Sequence, residues 1–104
     1  MIDSKILRET LVEKYDYMEA KVDGVVDKIS KFSPKVLGAF EHWFNTGEID
    51  DTSVEGYTIN DIMNKKKMTV TAAYLMLDWL ERDPKQAKAA LNSTEFKNSA
   101  VVRK

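Results

Sequence analysis

Apolar residues recur at seven-residue spacing along the first third of the chain: Leu11, Met18, Val25 and Phe32. Tyr15, Val22 and Ile29 fall four positions after the first three, and Ile6 and Leu7 extend the face backward. This spacing gathers the side chains on one side of a helix, as the a/d seam of a coiled coil does. Between them lie Glu9, Glu13, Lys14, Asp16, Glu19, Lys21, Asp23, Asp27, Lys28 and Lys31, a mixed-sign face of the kind that meets water. Asp3 or Ser4 caps the start, and Ser33-Pro34 sets the end, because a residue before proline is pushed out of helical geometry. The pattern predicts one helix from Ser4 to Phe32, about 40 Å long and so longer than a small domain is wide. Either it bends near Gly24 and the seam is the chain's own core, or it projects. In the second case Leu11, Tyr15, Met18, Val22, Val25 and Ile29 pack on a second copy or a partner helix.

Ser33 caps a second helix with Pro34 in its first turn, running to Asn45 and stopped by Gly47, with Val36, Leu37, Phe40, Trp43 and Phe44 as its apolar face. An acidic loop, 45–56, follows, long for a compact helical domain. Thr58 and Asp61 form a capping box for a short helix through Lys66 that carries Ile59, Ile62 and Met63. Thr69 or Thr71 caps the next, Ala72 to Arg82, which is apolar nearly all round and must be buried on most sides. Asp83-Pro84 opens a last helix to Leu91. No strand alternation or internal repeat is visible. The expected fold is therefore all-α: one domain over 1–92, four to five helices with a long amphipathic N-terminal one, and a polar, flexible tail over 93–104 in which Phe96, Val101 and Val102 are apolar.

Composition agrees with a folded helical domain: 43% of the 104 residues are hydrophobic and only four are Gly and two Pro. With no cysteine, disulfides, thiolate nucleophiles and zinc–thiolate sites are excluded. The first residues lack a basic segment leading into an apolar run, and the longest apolar run, Ala72 to Leu77, falls far short of a bilayer span, so a cytoplasmic protein is expected. The net charge of −1 argues against a dominant electrostatic partner, yet its distribution is uneven. Glu48, Asp50, Asp51, Glu55 and Asp61 run without a base, and Lys65, Lys66 and Lys67 follow at once.

Candidate chemistry is sparse. His42 is the only histidine; it sits opposite Phe40 on the helical wheel, and neighbouring Glu41 cannot face it. Asp51, Ser53, Glu55 and Gly56 match the first, third, fifth and sixth positions of a calcium loop, but Ile62 stands where the closing Glu is required. No phosphate-cradling glycine loop exists. No enzyme, cofactor, metal or small-molecule substrate is therefore expected.

The segment 58–82 resembles a helix-turn-helix over some twenty residues, with Ile62 and Met68 as the apolar residues of the first helix and turn and Ala73 and Met76 inward on the second. Lys66 stands where an apolar residue is usual and Lys67 where the turn glycine is usual. A second helix that read base edges would present Thr69, Val70, Thr71, Tyr74, Leu75 and Asp78, poor in the amides and cations that such reading uses. Lys65, Lys66 and Lys67 are the candidate phosphate contacts. The sequence thus favours a non-catalytic protein–protein interaction or regulatory module without a membrane role. It would pair with itself or a partner through the N-terminal seam, or through whatever part of Trp43, Tyr74, Leu75 and Trp79 is uncovered. A DNA-binding regulator is the alternative.

Overall fold

A computed structural model of the chain describes residues 3–92. Six helices and one small hairpin make up these residues: α1 (Ser4–Glu13), α2 (Glu19–Ser30), α3 (Pro34–Thr46), β1 (Ser53–Val54), β2 (Tyr57–Thr58), α4 (Ile59–Lys66), α5 (Val70–Arg82) and α6 (Pro84–Asn92). The protein is mostly helical, as the pattern predicts, but the long N-terminal helix is two helices. The break falls at Lys14–Met18 and not at Gly24, which lies exposed within α2. The expected tail, 93–104, lies outside the described residues.

The cause of the break is Tyr17. In a continuous helix its ring would stand roughly a third of a turn off the seam, facing water. Instead Asp16 takes a left-handed conformation (φ 58°), the Tyr17 amide donates to the Leu11 carbonyl at 2.9 Å, and the Tyr17 ring is fully buried. Asp tolerates that conformation better than most residues, and burying an aromatic ring outweighs the few helical hydrogen bonds lost. The chain then folds back, so that α2 packs on α1 and Arg8 donates to Asp23 at 2.9 Å across the pair. This reversal fits seam residues into a molecule of 33 × 26 × 21 Å, which could not hold a straight helix of that length.

The remaining helices begin and end where local chemistry dictates. The Ser33 hydroxyl accepts the Val36 amide, and α3 stops at Gly47 in left-handed geometry (φ 79°). Thr58 and Asp61 form a reciprocal capping box on α4, Thr69 caps α5, and the Asp83 carboxylate accepts the Gln86 amide at the start of α6. The expected acidic loop holds a hairpin: Ser53 pairs with Thr58 and Val54 with Tyr57 around Glu55-Gly56. Both turn residues have positive φ (53° and 84°), the geometry that matches strand twist. A two-residue strand is too short to leave a readable alternation in sequence.

Helix α5 is the hub. It packs against α3, α4, α6 and β1, and buries eight residues from Thr71 to Leu80. Phe40 of α3 meets Tyr74 edge-on at 5.4 Å and Phe32 at 5.9 Å, and Trp43 closes on Tyr74 at 6.0 Å. One polar clasp crosses this core. Asp78, nearly inaccessible, accepts the Ser33 amide at 3.1 Å and pairs with Arg82 at 2.7 Å, while Arg82 also donates to the Lys31 carbonyl at 2.9 Å. The α2–α3 junction is thereby held onto α5. Among the described residues no helix is long and apolar enough to cross a membrane.

Candidate functional site

The N-terminal seam faces inward. Leu11, Val22, Val25 and Ile29 are buried in the chain's own core, and Tyr15 is half-buried against Trp43 with ring centroids 5.3 Å apart. Only Met18, 36% accessible at the start of α2, keeps an open side. The seam expected as a docking surface is therefore the interior of the α1–α2 hairpin, because the break at Lys14–Met18 folds the two halves onto each other. The second expected surface divides likewise. Trp43 and Tyr74 are buried, whereas Leu75 and Trp79 are half-buried, one turn apart on α5.

The hydroxyls of Tyr17 and Tyr74 are buried, that of Tyr74 without a hydrogen-bond partner among the described residues. Burial pushes the Tyr17 phenol above its ordinary range, an effect tempered by the nearby Thr69 and Thr71 hydroxyls. Burial, with the Asp50 carboxylate adding to it, pushes the Tyr74 phenol up to about 12. His42 is exposed on α3. Of the calcium-like positions, Glu55 pairs with Lys88 at 2.8 Å, joining the hairpin tip to α6, and Ile62 is core. Hydrogen bonding to Glu55 and its charge raise the Lys88 ammonium pKa. Among the described residues no cluster of His, Asp or Glu is arranged to hold a metal ion.

The α4–α5 elbow is where the structure differs most from the helix-turn-helix expectation. The turn is sharp, and Lys67 makes it by adopting left-handed geometry (φ 53°, ψ 45°), the conformation glycine adopts without strain. The second helix is not the outward one. Thr71, Tyr74 and Asp78 of α5 are buried, and Val70 and Leu75 are half-buried. It is α4 that faces out. Ile59 and Ile62 anchor it inward, with Met68 buried just beyond, while Asn60, Asp61, Asn64, Lys65 and Lys67 are exposed and Lys66 is half-buried. The Asp61 carboxylate is turned to the Thr58 amide at 3.0 Å, which takes it up in capping. Asn60, Asn64, Lys65 and Lys67 make no side-chain hydrogen bond or ion pair among the described residues.

The sequence carries a signal for the two asparagines, since Asn60 and Asn64 are four apart and lie opposite Ile62. The charge partition is also clearer when divided at this helix. The first sixty residues carry twelve acids against seven bases, and the remainder nine bases against five acids. No family model matches the chain, and neither a curated protein nor a solved structure is similar to it.

Proposed function

We propose that the protein is a non-catalytic interaction module, a helical domain that works by presenting a surface, and that this surface is the outer side of the α4–α5 elbow. One observation carries the reading. On α4 the apolar side chains are spent on the core, while two amides and two lysines stand together in water without partners among the described residues. A surface held by a capping box at one end and a buried helix at the other is ordered before it binds, so little conformational entropy is lost on association.

The test is affinity capture from native-host lysate, with wild type beside Lys65→Glu/Asn64→Ala and with α3 variant His42→Ala as a control for an exposed position elsewhere. A partner retained by wild type and His42→Ala and lost by the elbow variant supports the reading. Recovery of the same species by all three refutes the elbow as the binding surface.

A further inference from the structure

We infer that the partner of the α4–α5 elbow is double-stranded DNA, met by Lys65 and Lys67 at the phosphates and by the α4 amides at the groove. The inference rests on the interaction-module reading above and names its partner. Three observations support it. Lys65 and Lys67 lie at the C-terminal end of α4, exposed, beside Asn60 and Asn64 on the same outward side. The nearest acid on α4, Asp61, is drawn back onto the Thr58 amide. A partner that is merely acidic would be served by the lysines alone; asparagine amides match the adjacent acceptor and donor on the major-groove edge of adenine.

The third observation is the conformation of Lys67. A left-handed residue with a Cβ is strained, and glycine at that position would relax the turn. The chain places a long cation there, at the outer corner of the elbow. Exposure of Lys67 means that packing of its side chain offers the fold little in return for the strain. The chain from Asp61 onward carries nine bases against five acids, and Lys65 to Lys67 are the first of those bases.

The experiment is fluorescence anisotropy of a labelled 20-base-pair DNA duplex titrated with the full chain at several salt concentrations, with melting temperature measured on the same samples. Two to three phosphate contacts predict a loss of roughly 10- to 40-fold in affinity between 50 and 200 mM salt. Lys65→Ala should lower affinity and reduce the salt slope by about one. Lys67→Gly should raise the melting temperature by about 2–6 °C and weaken binding, so that stability and affinity move in opposite directions. No binding at 50 mM salt overturns the inference, as does unchanged binding in Lys65→Ala. A duplex RNA of equal length bound as tightly also overturns it, because the deep, narrow RNA major groove does not admit a helix. Should Lys67→Gly fail to fold, Lys65→Ala decides. Binding to vesicles containing phosphatidylserine, with none to the duplex, would overturn the DNA partner and leave the interaction surface standing.

Discussion

Replacing Asp78 by Ala removes the clasp between α5 and the α2–α3 junction. The carboxylate accepts the Ser33 amide at 3.1 Å and pairs with Arg82 at 2.7 Å. Two losses follow. The part-buried Ser33 amide is left without its charged acceptor, and hydrogen bonds to charged groups contribute about 1.5–3 kcal/mol. The ion pair contributes less, since the Arg82 side chain is 53% accessible and returns to water when released; an exposed pair is worth about 0–1 kcal/mol. Together the expected cost is about 3 kcal/mol, which for a domain of this size lowers the melting temperature by roughly 12 °C. Asp78→Asn keeps an oxygen for the Ser33 amide and loses only the charge, so about half that cost is expected. Urea titration followed by circular dichroism measures both. If Asp78→Ala unfolds within 0.5 kcal/mol of wild type, or Asp78→Asn costs as much as Asp78→Ala, the assignment of the stabilisation to the Ser33 amide is refuted.

The Tyr74 hydroxyl is buried without a partner, so Tyr74→Phe should leave stability unchanged or raise it by about 1 kcal/mol, read by thermal melting; a loss above 1 kcal/mol would mean that the hydroxyl is satisfied. Its phenol, pushed to about 12, sets an alkaline limit. Because the folded pKa exceeds the unfolded one of about 10, this contribution is fully present below pH 10 and is lost as pH rises toward 12, a limb that should shrink in Tyr74→Phe. Val22→Asp should unfold the chain and not dissociate an oligomer, since Val22 is inaccessible within the α1–α2 hairpin; a folded monomer by circular dichroism and light scattering would contradict this. Gly24→Ala should stabilise α2 by about 0.5–1 kcal/mol, because a Cβ there meets nothing within 4 Å; destabilisation would show that the helix is not continuous through this position.

What was readable in sequence was local. Ser33-Pro34, Gly47, the Thr58–Asp61 box, Thr69 and Asp83 each act within a turn of where they stand, and each marks a helix boundary in the structure. The break before α2 was not readable, because it depends on Tyr17 finding cover beside Thr69 and Thr71, distant along the chain, while the seven-residue repeat runs through the break unchanged. The all-round apolarity of α5 already implied a buried helix, which is incompatible with Tyr74 as exposed surface or with α5 as the outward helix of a helix-turn-helix. Nothing local to Asp78 announces its role; only the tertiary position of Ser33 makes it a clasp.

That clasp bears on persistence as well as on stability. Most packing in this fold joins neighbours along the chain, α1 with α2, α4 with α5 and α5 with α6, and such contacts form quickly. The hydrogen bonds from Ser33 to Asp78 and from Arg82 to Lys31 instead close separations of 45 and 51 residues. Interactions completed after the folding barrier leave the forward rate nearly untouched and slow the reverse one. Asp78→Ala is therefore expected to speed unfolding more than it slows folding, which stopped-flow mixing in urea would read.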